Sequence, residues 1–270
     1  MAIFLLIFTN FGRVLISLFA CVRISTRGDF MKIGIFTDSH ICECDDLGLG
    51  RHPRLSKQRL ISLMDVFERE KVEAIICLGD LVDQAKGETK NDVLSHLSDT
   101  VSIISRLGVP FYLVGGNHDF LSLSRKELEE NGILLSPFTI CDGNACIVAL
   151  DANFREGNLH FDEAGEKWDD AHIPPEQLSM LDRSLEVASV PCVVLIHENL
   201  DPCVDFWHQV RNAPEARAII KKHSSKIALV LQGHFHWGAH GTYNGVPYEA
   251  LKSICVFDSD NYKILDTSKI

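Results

Sequence analysis

Residues 32–40 read Lys32-Ile33-Gly34-Ile35-Phe36-Thr37-Asp38-Ser39-His40. A short run of apolar residues and glycine stops abruptly at a carboxylate and an imidazole. A strand that is apolar on both of its alternating faces is buried on both sides, as in a mostly parallel sheet covered by helices. In open α/β sheets, ligands bind outside the carboxyl ends of the strands, which is where Asp38 and His40 fall.

The same arrangement recurs along the chain. Ala74–Leu78 runs into Gly79-Asp80-Leu81-Val82-Asp83, and Phe111–Val114 runs into Gly115-Gly116-Asn117-His118-Asp119. Ala145–Leu150 ends at Asp151, Cys192–Ile196 ends at His197, and Ile227–Leu231 leads to Gly233-His234-Phe235-His236. These six runs read as strands of a mostly parallel sheet. Helical periodicity separates several of them. Leu60, Leu63, Met64 and Phe67 share one face behind Ser56 as N-cap. Leu94, Leu97, Val101, Ile104 and Leu107 share another, stopped by Gly108. Leu178, Leu181 and Leu185 form a third, entered through Pro174-Pro175. Alternating strands and helices predict an α/β domain. Near the end, Asn244-Gly245 is a hairpin signal, with Val246–Leu251 and Ser253–Phe257 expected as strands of a second, partly antiparallel sheet.

Length and composition agree. The chain has 270 residues, 46% hydrophobic and 23% charged, ordinary for one large globular domain. Its formal net charge of −11 repels polyanions, so a nucleic-acid groove is not expected. A small phosphate ester remains open, because bound cations reverse the local sign. The nine cysteines include no Cys-x-x-Cys pair, and Cys77, Cys146, Cys192 and Cys255 lie in apolar runs as buried free thiols would. That pattern favours a reducing, cytoplasmic setting over a disulfide framework. Residues 1–30 form an apolar extension interrupted by Asn10 and Arg13, with no uninterrupted run long enough for a stable membrane span. Three readings stay open for it: translation from Met31, a cleaved signal, or a lipid anchor at Cys21. Residues 31–270 read as a single domain.

The residue types at the strand ends define the chemistry. Asp, Asn and His supply hard oxygens and borderline nitrogens without thiolates, a set that suits Mn, Fe or Zn. Asp38, His40, Asp80, Asn117, His197, His234 and His236 are too many donors for one ion. They suit two divalent ions that share a carboxylate. Asp38 and His40 leave the strand on the same side, and Gly233 allows close backbone approach beside His234 and His236. Each motif alone is weak; the force lies in their occurrence in order, each at a strand end.

The pattern Asp38-x-His40, Gly79-Asp80, Gly116-Asn117-His118-Asp119, His197 and Gly233-His234-x-His236 resembles the calcineurin-like metallophosphoesterase family. Within it the motifs look like those of the bacterial class III cyclic-nucleotide phosphodiesterases. The resemblance implies a four-layer α/β/β/α sandwich with two mixed β-sheets. It implies that Asp38, His40 and His236 hold one metal, that Asn117, His197 and His234 hold the other, and that Asp80 bridges them. His118 would contact the phosphate and protonate the leaving oxygen. The expected activity is hydrolysis of a phosphodiester or phosphomonoester in a small nucleotide-like or phosphorylated metabolite. Two rival readings are a metal-dependent nuclease and a non-catalytic scaffold on the same fold.

Asp83, Asp119 and Asp151 sit beside these motifs as supporting carboxylates, with turn or cap roles as the alternative. His160, Trp168 and His172 lie in a long insertion, residues 153–173, which could form a lid. Arg51, His52 and Arg54 could meet a second phosphate, though an exposed basic loop explains them as well.

Overall fold

The computed structural model describes residues 21–22, 30–165 and 167–270. Apart from Cys21–Val22 and Phe30, the apolar extension and its three readings lie outside the described residues.

Six chain segments become strands where the apolar runs predict them: β2 (Lys32–Phe36), β3 (Ala74–Cys77), β4 (Phe111–Leu113), β7 (Cys146–Ala149), β8 (Cys192–Ile196) and β9 (Ile227–Gln232). They do not form one sheet. β2, β3 and β4 run parallel in a five-stranded sheet, while β7, β8 and β9 run parallel in a seven-stranded one. The five-stranded sheet adds β5 (Leu134–Leu135) beside β4, and β12 (Tyr262–Asp266) antiparallel to β2. The seven-stranded sheet adds β1 (Cys21–Val22), β6 (Phe138–Cys141), β10 (Ala239–Tyr243) and β11 (Val246–Ala250) in the order β1-β6-β7-β8-β9-β11-β10. Both sheets are therefore mixed.

Period-two alternation explains why the runs are apolar throughout. Ile33, Ile35, Ile76 and Leu78 from one sheet meet Ile147, Ala149, Val193 and Leu195 from the other in a central core. The opposite faces bury Phe36, Ile75, Cys77 and Leu113 under α1 (Pro53–Glu70) and α2 (Lys90–Ser105). On the far side, Val148, Val194, Ile196 and Val230 pack under α6 (Pro175–Val187) and α7 (Ala213–Lys222). The result is a four-layer α/β/β/α sandwich. Short helices α3 (Asp119–Ser122), α4 (Arg125–Glu130) and α5 (Phe161–Ala164) complete the chain path.

Several local expectations are corrected. α1 starts one turn before Ser56, with Pro53 in its first turn and His52 as N-cap; Ser56 is a buried first-turn residue. Proline's fixed φ decides that start. The Asn244-Gly245 turn does close a hairpin, but its strands are β10 and β11, which extend the seven-stranded sheet. Residues 253–257 are not a strand. Their backbone N–H groups bond instead to carbonyls of the first motif, Ile254 to Thr37 and Cys255 to Asp38. Cys146 is not a free thiol: it lies opposite Cys141 in the β6–β7 register, and the two form a disulfide. α7 went unread because its charged residues dilute the apolar stripe of Ala213, Ala216 and Ile220.

Gly34 shows how tightly the outer layer seats. A Cβ there would lie 2.6 Å from the Phe67 ring of α1, which is itself fully buried. Gly34→Ala must push the helix off the sheet. It is expected to cost about 1–3 kcal/mol, read as a lowered urea midpoint at unchanged m-value; unchanged stability would show that α1 does not seat this closely.

Candidate metal centre

The carboxyl ends of strands from the two stacked sheets lie together, and the predicted donors come from both. Asp38 and His40 follow β2, Asp80 follows β3 and Asn117 follows β4; His197 follows β8, and His234 and His236 follow β9. Bonds between the two sheets lock this junction. His197 Nδ1 donates to Leu78 O at 2.6 Å, and the backbone N–H of His234 donates to Asp38 Oδ2 at 3.2 Å. Within the seven-stranded sheet, the ends of β8 and β9 are tied in turn: Gly233 N donates to His197 O at 3.1 Å, and Asn199 Nδ2 donates to Gly233 O at 2.8 Å.

The backbone pays for convergence with strain. Asp38, His40, Asp80 and His234 all have positive φ, at 53°, 44°, 53° and 63°. Non-glycine residues adopt this region rarely, and such strain clusters at functional sites. Glycines beside the donors admit their close approach. A Cβ on Gly79 would overlap His197, and one on Gly116 would overlap Asp80. Gly233 packs against Thr37 and the Leu78 carbonyl in the same manner.

The predicted donors form two groups, and His40 closes a third with Asp83 and His118. Asp38, His40, Asp80 and His236 place one ligand atom each within 4.8 Å of one another, and so do Asp80, His197 and His234. Asp80 Oδ2 belongs to both, 3.6 Å from His40 Nε2 and 3.3 Å from His197 Nε2. Its other oxygen, Oδ1, accepts the backbone N–H of His118 at 2.8 Å, which fixes the carboxylate's rotation. His40 Nε2 and His236 Nε2 lie only 3.0 Å apart, with Asp38 Oδ1 3.3 Å from the latter. Nitrogen lone pairs converging this closely beside a carboxylate fit a cation better than they fit one another.

The tautomers agree. His197 Nδ1 is committed to Leu78 O and His40 Nδ1 lies 3.0 Å from Asp83 Oδ2, so each presents Nε2 to the centre. Burial, with His197 alongside, holds the His234 pKa well below its ordinary value, and its buried Nε2 has no hydrogen-bond partner. Although burial opposes it, the imidazole of His236 helps hold Asp38 down at about 2. The donor set and its orphaned nitrogen fit divalent transition-metal ions.

His118 is the open member of the cluster, with 27% of its side chain exposed and Nδ1 3.0 Å from Asp83 Oδ2. Burial works against its charge, but Asp80 and Asp83 together raise its pKa to about 9. Asp83 also faces Arg51 Nη1 at 3.5 Å, so it links His40, His118 and a guanidinium. Asp119 is buried behind the donors. Its carboxylate accepts the backbone N–H groups of Asp80 at 2.9 Å, Leu81 at 2.8 Å and Gly116 at 2.9 Å. It thereby splints the β3 and β4 loops together.

Other residues fall elsewhere. Asp151 touches none of the donors; it pairs with Arg125 and His160 and holds Asn153, whose Nδ2 reaches Gly115 O at 2.6 Å. His52 and Arg54 bond to the Asp45 loop rather than to the site. Sequence reading missed Ser253, whose Oγ donates to Asp38 O at 2.8 Å, and Glu198, whose carboxyl burial pushes up to about 8. Glu198 directly follows His197, the one signal available for it. The run Ser253–Cys255 carried no motif.

Comparison with known proteins follows the same lines. The sequence model of the calcineurin-like phosphoesterase family matches residues 31–238. A UDP-2,3-diacylglucosamine hydrolase of Escherichia coli is 35% identical over 71 residues, 26% of this chain and 29% of the hydrolase. The chain thus matches less than a third of that relative's length. Human serine/threonine-protein phosphatase CPPED1 is 21% identical over 213 residues, 76% of this chain and 66% of the phosphatase. The solved structure of a dimetal phosphatase from Danio rerio has the same fold, with a TM-score of 0.70 at 19% identity, covering 84% of this chain and 88% of that one.

The Asp119 splint yields a direct test. Asp119→Ala leaves three buried N–H groups without their acceptor and is expected to destabilise by about 2–4 kcal/mol. Asp119→Asn, which keeps one acceptor oxygen, should recover part of that loss. Equal urea midpoints for wild type and Asp119→Ala would remove the splint from the account.

Proposed function

Because this chain belongs to the calcineurin-like phosphoesterase family, we propose that it hydrolyses a phosphate ester at a binuclear metal centre built from the donors described above. The observation that carries the reading is Asp80 Oδ2, which lies within reach of both donor groups. Asp38, His40 and His236 would hold one ion, and Asn117, His197 and His234 the other, with Asp80 between them. Mn, Fe or Zn suits this mixture of imidazole, carboxylate and amide oxygen. When bound, the ions supply Lewis acidity, polarising phosphoryl oxygens and lowering the pKa of water.

The remaining steps belong to the chain's own side chains. With Nδ1 3.0 Å from Asp83 Oδ2, His118 would present a protonated Nε2 to the substrate. It would donate that proton to the departing oxygen as the ester bond breaks. Asp83 orients His118 and His40 alike, tying proton delivery to the donor set. Arg51 is pinned by the Leu47 carbonyl at 3.0 Å and adds positive charge beside Asp83. Residues 31–270 would act as one catalytic domain. The substrate would be a small nucleotide-like or phosphorylated metabolite, since a net charge of −11 repels a long polyanion. Among the described residues, no helix is long and apolar enough to cross a membrane.

Two substitutions separate the roles. Asp80→Ala is expected to lose bound metal, measured by elemental analysis after reconstitution, and to lower kcat/KM by at least about a thousandfold. His118→Ala should retain metal yet lower kcat by roughly 10²–10⁴ on phosphomonoesters or phosphodiesters. Full hydrolysis by Asp80→Ala with Mn, Fe or Zn would rule out the shared carboxylate.

A further inference from the structure

The three tryptophans of the chain, Trp168, Trp207 and Trp237, are all exposed, at 44%, 57% and 45%. Large aromatic side chains usually bury most of their surface, and exposed groups of them mark binding sites. These three come from separate parts of the chain. Trp168 lies in the insertion, in a short 3-10 turn (Trp168–Asp170). Trp207 lies in a second such turn (Phe206–His208), and Trp237 directly follows His236.

Two of them, Trp168 and Trp237, lie on a path of rings that begins at the metal centre, while Trp207 packs against Phe206 at 5.8 Å. Trp168 lies 6.4 Å from the His234 ring and 6.0 Å from the His208 ring. His208 is 5.4 Å from His234 and 5.3 Å from Phe235, and Phe235 is 5.6 Å from Trp237. Trp237 returns to the centre, 6.1 Å from His236. The path therefore touches one imidazole from each donor group.

The rim is built rather than incidental. Arg211 N donates to Ala171 O at 2.8 Å, its Nε donates to Asp169 O at 2.5 Å, and its Nη1 donates to Phe206 O at 3.0 Å. The guanidinium also stacks 4.2 Å from the centre of the Phe206 ring. One side chain thus ties the insertion to the second turn. His208 Nδ1 is held by Asp205 Oδ2 at 2.8 Å, which orients its ring toward His234.

The geometry points to a substrate whose phosphate ester carries a nucleobase, the base stacking on the Trp168–Trp237 rim while the phosphate lies at the donor cluster. This rests on the phosphoesterase reading and specifies its substrate class. Flat rings with a histidine among them, braced by the Arg211 guanidinium, suit a planar heterocycle with polar edges; an acyl chain would call for an aliphatic groove. Base–aromatic stacking is tolerant of base identity, so the rim predicts selection for a base rather than for one particular base.

The test uses the full chain reconstituted in turn with Mn, Fe and Zn, with fluorescence read on the Zn form. AMP and ribose 5-phosphate share sugar and phosphate and differ in the base; each is supplied as the monoester and as its methyl diester. The proposal expects kcat/KM to favour the base-bearing member of the hydrolysed pair. It also expects Trp168→Ala and Trp237→Ala to lower that preference ratio about tenfold or more, with Trp168→Phe and Trp237→Phe retaining most of it. AMP should quench tryptophan fluorescence where ribose 5-phosphate at the same concentration does not. A wild-type preference ratio near one, or a ratio within twofold of wild type in both alanine variants, would overturn the rim's role. Equal quenching by the two ligands would do so as well. Absence of hydrolysis for every ester while AMP still quenches would instead count against the phosphoesterase reading and leave the stacking intact. The phenylalanine variants guard against misfolding, since they preserve the aromatic packing.

Discussion

The carboxylate of Asp80 stands where the two sheets join, and its position is over-determined. One oxygen lies between imidazoles contributed by opposite sheets, His40 and His197, while the other is held by the backbone of His118. Its own N–H is held by Asp119. Moving Asp80 would disturb three strand-end loops together. The site is thus less a pocket lined by side chains than a joint between layers, and its rigidity comes from the packed sheets behind it.

That joint concentrates features a folding chain normally avoids. Asp38, Asp80, Asp83 and Asp119 are all buried, and burying carboxylates is costly unless they are paired and hydrogen-bonded. Each is bonded. Asp38 accepts from Thr37 Oγ1 and His234 N, Asp83 faces two imidazoles and Arg51, and Asp119 takes backbone N–H groups. The positive φ at four donors adds backbone strain, which the surrounding ladders and glycine contacts hold in place. Stability elsewhere, in three apolar layers of Ile, Leu, Val and Phe, allows this local cost.

The two sheets also divide the surroundings of the centre. His118, Asp83 and Arg51 follow strands of the five-stranded sheet and gather polar groups on one side. On the other, the elements around β8 and β9 bring aromatic rings from three segments. The long insertion supplies Trp168 to that side and, through His160 and Asp151, a buried network behind the β4 loop.

Much of this was legible in the chain itself. Apolar runs with no polar alternation determined six strands, because a strand buried on both faces has no solvent side to mark. The donors were legible because each follows such a run directly, and chain connectivity places strand ends without any tertiary information. Periodicity could not assign strands to sheets: β4 and β7 look alike, and the split between them depends on which faces pack together. Nor could it show that Asp83 is central while Asp151 stands apart, since both simply follow a strand. Ser253 and Glu198 join the site only through long-range backbone contacts and burial, and the three tryptophans are 30 or more residues apart in sequence. Local pattern determined the elements and the donor types; the distances between donors, the tautomers and the aromatic rim were decided by how two sheets stack, which is a property of packing and not of spacing.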